Sequence, residues 1–131
     1  MIKLKIPGKK TGQFQSSFAK GLAGEMKAAR EYEKEGYEVL ARRAKTPAGE
    51  IDLILKAPKA NQIVFVEVKQ RSTLEAAAYS VQPAQQQRLL KAADTWLSGK
   101  AKYAGFRMRF DAVLLTNAGE SKRIENAFGL N

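Results

Sequence analysis

Two short runs of residues, 49–55 and 64–69, constrain the fold of this chain more than any other part of it. Each run is rich in aliphatic residues and carries its charges at alternate positions. Because side chains alternate between the two faces of a strand, such a run places its charges on one side. We therefore expect two β-strands, each with acidic side chains on one face.

The segment between the two runs, 56–61, contains Pro58 and Asn61 and is typical of a hairpin loop. If the chain turns in the middle of this segment, facing residues have numbers that sum to about 119 in the antiparallel pair. Asp52 then faces Glu67 across the two strands.

Two directly opposed carboxylates repel each other, which lowers the stability of the fold. A divalent cation between them would remove that repulsion, and Mg²⁺ binds one or two carboxylates together with waters and substrate phosphates. The same register puts Lys69 opposite Glu50, beside the acidic pair. The pattern predicts a Mg²⁺ site, with Mn²⁺ as a substitute, and a lysine next to the attacked phosphate. The alternatives are solvated edge carboxylates or ion pairs with nearby lysines.

Composition excludes several kinds of protein. At 131 residues the chain is long enough for one domain with its own core. With no cysteine and no histidine, disulfides, thiolate metal sites and histidine-based catalysis are excluded. No apolar run reaches the length of a membrane span or a secretory signal. We expect no membrane partner and a cytoplasmic location.

The charge balance points to a polyanionic partner. Net charge is +10, from 23 basic and 13 acidic residues, and nucleic acid is the leading partner for such a surplus. A surface tuned only for solubility is the alternative. The basic residues form three groups: Lys3, Lys5, Lys9, Lys10 and Lys20; Arg42, Arg43 and Lys45; Lys100, Lys102, Arg107 and Arg109.

The N-terminal part divides into an arm and a helix. Residues 1–15 are predicted to be a flexible basic arm, because Gly8 and Gly12 interrupt regular structure, and 16–131 form the single domain. Apolar spacing of three and four residues predicts a helix over 17–35. Its apolar stripe consists of Phe18, Leu22, Met26, Ala29 and Tyr32.

Gly21 and Gly24 lie inside this predicted helix, where each costs roughly 1 kcal/mol relative to alanine. We therefore expect another element to pack closely against the first half of the helix. Glu25 follows Gly24 directly, so its side chain should lie near this close approach.

The remaining elements complete an α/β pattern. Beside the two strands above, we predict a strand over 37–42, a polar loop over 70–81, a helix over 83–97, a strand over 106–115, a turn over 117–119 and a last short strand over 123–128. The order is helix, three strands, helix, strand. Hairpins can join the first three strands, whereas a crossover helix makes the third and fourth parallel. We expect a mixed β-sheet flanked by helices.

With these elements in place, the chain resembles the PD-(D/E)XK nuclease-like superfamily, which has the restriction endonuclease-like fold. More closely, it resembles the YraN-like family, an uncharacterised bacterial family often compared with Holliday-junction resolvases. The resemblance covers about residues 24–128. The residues that carry it are Gly24-Glu25, Gly49-Glu50-Ile51-Asp52-Leu53-Ile54, Phe65-Val66-Glu67-Val68-Lys69, Val81-Gln82-Pro83 with Gln86, Arg88 and Leu89, and Arg109-Phe110-Asp111.

The resemblance implies a set of site residues. Asp52 and Glu67 would bind a divalent metal with help from the Val68 carbonyl, and Lys69 would position or activate water. Glu25 would be an auxiliary acidic residue near the metal.

On the second helix, the resemblance implies that Gln86 lies at the edge of the site. Gln85 stands where relatives usually carry lysine, which leaves open how this helix meets phosphate.

The function expected from the residues and the resemblance is a Mg²⁺-dependent endonuclease, a hydrolase of phosphodiester bonds in DNA, with branched or structured DNA as the expected substrate. The resolvase comparison favours a homodimer by analogy. The alternatives are a non-catalytic nucleic-acid-binding module on the same scaffold and a purely structural partner protein.

Overall fold

The computed structural model describes residues 8–129, with side chains described from residue 21 onward. Residues 1–7 of the predicted basic arm lie outside the described part. The elements are α1 (Gly8–Lys34), β1 (Glu38–Thr46), β2 (Gly49–Lys56), β3 (Gln62–Arg71), α2 (Leu74–Tyr79), α3 (Pro83–Leu97), a 3₁₀ turn (Ala101–Tyr103), β4 (Arg107–Thr116) and β5 (Ser121–Phe128).

The five strands form one mixed sheet in the order β1-β2-β3-β4-β5. The pairs β1–β2, β2–β3 and β4–β5 are antiparallel, and β3–β4 is parallel. This confirms the predicted hairpin connections and the predicted crossover, because α2 and α3 carry the chain from the end of β3 back to the start of β4. The last strand also forms where it was predicted.

Helices cover both faces of the sheet. On one face, Ala28, Ala29 and Tyr32 of α1 pack against the sheet residues Leu53, Leu55, Val64, Val66, Val113 and Leu115. On the other face, Leu89, Ala92 and Ala93 of α3 pack on Ile51, Ile54, Ile63, Phe65 and Phe110. The architecture is therefore a mixed α/β sandwich of helix, sheet and helix layers.

Helix α1 differs from its prediction at the N-terminal end. It begins at Gly8 rather than near Ser17, so Gly8 and Gly12 do not interrupt it. Its apolar stripe is also shorter than predicted: Leu22 is 39% exposed and Met26 is 44% exposed. Among the apolar α1 residues whose side chains are described, Ala28, Ala29 and Tyr32 are buried, so spacing alone overestimated the stripe at Leu22 and Met26. Phe18, the first residue of the predicted stripe, lies outside the residues whose side chains are described. No helix within residues 8–129 is both long and apolar enough to cross a bilayer.

The loop predicted over 70–81 is wrong in part, because it contains α2. Thr73 caps this helix by accepting a hydrogen bond from the backbone N–H of Ala76 at 3.0 Å. Ala77 is fully buried and joins Ala112 and Leu114 in a small cluster. A helix of six residues is too short for apolar periodicity to reveal.

A buried polar network joins the C-terminal half of α1 to β4. Asp111 is fully buried and accepts hydrogen bonds from the Tyr32 hydroxyl (2.8 Å), from Arg109 Nε (2.8 Å) and Nη2 (2.7 Å), and from the Asn126 backbone N–H (3.0 Å). Arg109 also donates to the Tyr37 hydroxyl at 2.9 Å. These bonds orient the helix on the sheet and thereby position its other residues.

Candidate functional site

The site lies where β2 and β3 separate. Paired residues run from Lys56↔Ile63 to Leu53↔Val66, so facing numbers sum to 119 as predicted. Beyond Leu53, the backbone N–H of Val68 donates to the side chain of Asp52, with 2.8 Å between N and Oδ2. In an uninterrupted β-ladder, this N–H would donate to a backbone carbonyl of the neighbouring strand. Here it donates to a carboxylate instead.

Asp52 and Glu67 form a close carboxyl pair. Interaction with Glu67 favours a proton on Asp52, because it raises the pKa of that carboxyl group. Burial, and then the negative charge of Glu67, raise the pKa of Asp52 from 3.8 to about 7, against the opposing effects of the Val68 N–H and Lys69. The pair is thus poised to exchange its proton for another cation near neutral pH. Glu67 itself is only 4% exposed.

Glu67 is held from two further sides. The Lys69 ammonium lies 3.0 Å from Glu67 Oε2, and Gln85 Nε2 of α3 donates to the same oxygen. Glu50, which sequence register placed opposite Lys69, is exposed and pairs in register with Lys45 of β1. The Lys69–Glu67 ion pair therefore orients Lys69. An ion pair of this kind was one of the alternatives considered from the sequence.

Gly24 brings α1 close to the same end of the sheet. A Cβ on Gly24 would lie 2.8 Å from Leu115 Cδ1 and 3.3 Å from Gln70 Oε1, so only glycine permits this approach. The predicted close packing is confirmed for Gly24. It is wrong for Gly21, where a Cβ would meet no atom within 4 Å.

The close approach carries Glu25 to the acidic pair. Burial raises the pKa of Glu25, the Arg43 guanidinium opposes that rise, and the negative charge of Asp52 adds to it. Arg43 Nε donates to Glu25 Oε1 at 2.7 Å, and Nη2 donates to Oε2 at 3.3 Å. The structure therefore brings Glu25 near Asp52, with an arginine on its carboxylate.

Helix α3 meets the site through Gln85, and the contact described for Gln86 is a local one. Gln86 Nε2 donates to the carbonyl of Val81 at 3.0 Å, at the start of the helix. One turn along from Gln85, Arg88 Nη1 donates to the carbonyl of Glu50 at 3.3 Å. The Arg88 guanidinium packs over Gly49, where an added Cβ would lie 2.1 Å from Nη1. Gln85 is thus the α3 side chain that contacts Glu67, and Gln86 is its neighbour at the start of the helix.

An open polar cleft of about 410 Å³ reaches Val68 and Lys69, the residues that contact Asp52 and Glu67. It is lined by Gly21, Glu25, Val68, Lys69, Gln70, Arg71 and Asn117. Lys69 therefore spans from the Glu67 carboxylate to the cleft wall. A ligand in this cleft could contact a lysine, an arginine and two amides.

The donor set suits a hard divalent ion. Carboxylate oxygens of Asp52 and Glu67 and the nearby Val68 carbonyl are oxygen ligands of the kind that Mg²⁺ prefers. Within residues 8–129, no three His, Cys, Asp or Glu side chains are arranged to hold a metal together. The residues fit an ion that takes two protein carboxylates and completes its shell with water and substrate oxygens.

Two side chains at the site were not singled out from the sequence. Gln85 was noted only as a departure from relatives, and Arg43 only as a member of a basic group. The order of charged residues gives no signal for either, because the contact of Gln85 depends on how α3 docks and that of Arg43 on a backbone distortion in β1.

The fold and the site together define a mixed α/β protein with a close carboxyl pair and a lysine where two antiparallel strands separate. The chain belongs to the uncharacterised protein family UPF0102, which matches residues 24–115. This confirms the expected membership of an uncharacterised bacterial family.

Relatives in two bacterial genera are similar over most of their length. A UPF0102 protein of Rhodopseudomonas palustris (strain HaA2) is 44% identical over 113 residues, which cover 86% of this chain and 87% of the relative. The UPF0102 protein bll0669 of Bradyrhizobium diazoefficiens is 42% identical over 113 residues, with 86% and 84% covered. The names of these relatives state no activity.

Proposed function

We propose that this protein is a metal-dependent nuclease that hydrolyses phosphodiester bonds in DNA, with branched or structured DNA as its substrate. The observation that carries the proposal is the Asp52–Glu67 carboxyl pair between separating strands, with the Val68 N–H on Asp52 and Lys69 at 3.0 Å from Glu67. Such a pair costs stability in the absence of a bound cation, which is typical of a site kept for function.

The residues of the chain have separable roles in this proposal. Asp52, Glu67 and the Val68 carbonyl would hold Mg²⁺ or Mn²⁺, and Glu25 would be the auxiliary acid. A divalent ion held there supplies Lewis-acid stabilisation of the charge that develops on the phosphate oxygens. Lys69, oriented by Glu67 and exposed to the cleft, would orient the attacking water or bind a phosphoryl oxygen.

The element order supports a restriction endonuclease-like fold as the finer description. A helix, three antiparallel strands, a helix and a strand parallel to the third match the α-β-β-β-α-β core that the sequence resemblance implies. In this proposal α2 and β5 are additions to that core. A fold by itself does not establish activity, so the proposal depends on the site.

The charge of +10 supports nucleic acid as the partner. Lysine and arginine contacts to phosphates release counterions, so binding should weaken steeply as salt rises. No base-reading arrangement is evident among the site residues, and we propose recognition of shape rather than of sequence. A homodimer is proposed by analogy with enzymes that cut two strands in related geometry.

A cleavage assay tests the proposal. Labelled linear duplex, single-stranded, nicked and four-way DNA are incubated with the protein in Mg²⁺, in Mn²⁺ and in chelator. We expect metal-dependent cutting that is lost in Asp52→Asn and Lys69→Met and kept in Asp94→Asn, an exposed Asp of α3. Cutting that survives chelator, or that persists in the first two variants, would contradict the proposal.

The alternative is a non-catalytic nucleic-acid-binding module. One observation favours it: within the described residues the acidic side chains do not form a three-ligand metal group. Tight salt-sensitive binding to nucleic acid, with no cutting in either metal and no loss in Asp52→Asn, would support this function instead.

A further inference from the structure

Arg43 has an unusual backbone for a residue in a strand. Its φ is +47°, in the left-handed region that non-glycine residues rarely adopt. It lies between the pairs Arg42↔Leu53 and Ala44↔Ile51, which places it opposite Asp52. Such a conformation is strained for a residue with a side chain and is found preferentially at functional sites. The distortion of β1 therefore occurs beside the carboxyl pair.

The Arg43 guanidinium donates two hydrogen bonds to the Glu25 carboxylate. The distances are 2.7 Å from Nε to Oε1 and 3.3 Å from Nη2 to Oε2, and the Glu25 side chain is 15% exposed. A guanidinium presents the same two-donor fork to a carboxylate and to a phosphate. The partner of Arg43 could therefore be exchanged for a nucleic-acid phosphate without a change of geometry at the arginine.

The Glu25 side chain lines two separate cavities. On one side it lines the 410 Å³ cleft with Val68 and Lys69. On the other side it lines a small cavity of about 30 Å³, together with Leu22, Met26, Arg42, Arg43 and Leu53. Rotation about its side-chain torsions would move the carboxylate from the arginine to the cleft. With its carboxylate on Arg43, Glu25 is not grouped with Asp52 and Glu67 as a third acidic ligand among the described residues.

We propose that Arg43 is a positioning residue, which holds Glu25 away from the metal until a phosphate of the nucleic acid takes the guanidinium. Glu25 then turns into the cleft and becomes the third acidic ligand. This inference rests on the proposed function, and it makes completion of the metal site depend on bound substrate.

A double-mutant cycle on Mn²⁺ affinity tests the proposal without any cleavage. Calorimetric titrations in the absence of nucleic acid compare the wild type, Glu25→Gln, Arg43→Gln and the double variant. In the wild type Glu25 is held away, so Glu25→Gln should change Kd less than about twofold. Arg43→Gln should tighten Mn²⁺ binding by about tenfold, the equivalent of about 1.4 kcal/mol. Glu25→Gln should then remove that gain.

The affinity for a short DNA duplex, measured in the presence of chelator, tests the same coupling between Glu25 and Arg43 from the side of the nucleic acid. Glu25→Gln removes the charged partner seen at 2.7 Å from Arg43 Nε and should tighten DNA binding several-fold, whereas in the Arg43→Gln background it should add much less. The matched control is Arg42→Gln, the neighbouring exposed arginine of β1, which should not alter the effect of Glu25→Gln in either experiment. Should Arg43→Gln fold poorly, Arg43→Gly removes the guanidinium and relieves the left-handed backbone.

The outcomes separate the two proposals. If Glu25→Gln weakens Mn²⁺ binding equally with and without Arg43, Glu25 is already a ligand and this inference is overturned. If the wild type binds Mn²⁺ but Arg43→Gln and Arg43→Gly leave its affinity unchanged, the inference alone fails. If no variant and no wild-type protein binds Mn²⁺, the proposed metal-dependent function fails with it.

Discussion

Replacing Asp52 by asparagine should make the protein more stable at neutral and alkaline pH. Asparagine keeps an acceptor for the Val68 N–H, which lies 2.8 Å from the Asp52 carboxylate. It also keeps a donor toward Glu67, so it resembles the protonated aspartic acid without being able to ionise. The variant therefore retains the hydrogen bond from the Val68 N–H and removes the repulsion between two ionised carboxylates.

The magnitude follows from the pKa of Asp52, which burial and the charge of Glu67 raise from 3.8 to about 7. A shift of this size corresponds to at most about 4 kcal/mol. Because the native state keeps the proton more tightly, its contribution to stability is complete below the unfolded pKa of 3.8 and is lost as pH rises through about 7. We expect a gain of about 1–3 kcal/mol for Asp52→Asn at pH 8, shrinking toward pH 4, since Lys69 and relaxation of the pair reduce the full value.

Urea unfolding at several values between pH 5 and pH 8 measures this difference, with chelator present to exclude bound metal. Asp94→Asn is the control, because Asp94 is an exposed residue of the same chemical type on α3. Its effect should be small and independent of pH. A variant at Asp52 that is less stable than the wild type at pH 8, or a gain that does not depend on pH, would refute the reasoning.

Four further substitutions test the packing that builds the site. Gly24→Ala should lower the free energy of unfolding by about 1–3 kcal/mol, because its Cβ would lie 2.8 Å from Leu115, whereas Gly21→Ala in the same helix should raise it by up to about 1 kcal/mol. Asp111→Ala should cost about 3–5 kcal/mol by leaving Arg109 and Tyr32 without their buried partner. Gly49→Ala should cost about 1–3 kcal/mol, since φ is +135° and Arg88 occupies the space of the Cβ. Chemical denaturation measures all of them, and a neutral Gly24→Ala or a destabilising Gly21→Ala would contradict the packing argument.

Much of the fold could be predicted because local patterns and tertiary structure agree. Alternating charge over 49–55 and 64–69 defined two strands, and the central loop set their register, which the pairing Leu53↔Val66 confirms. A proline at the start of α3 and apolar spacing predicted Pro83–Leu97 without error in its bounds. Errors arose where a signal was short, as in α2, or where apolar spacing continued beyond the edge of the core, as at Leu22 and Met26.

The sequence by itself determined the chemistry available to this protein: two carboxylates and a lysine on adjacent strands, no histidine or cysteine, and a large positive charge. Alternation along a strand is a local property, so these features can be read without coordinates. Only the tertiary structure decided which helix residues reach the pair, because the contacts of Glu25, Arg43 and Gln85 depend on helix docking and on one left-handed residue in β1. Such contacts join residues far apart in the chain, and no local pattern encodes them.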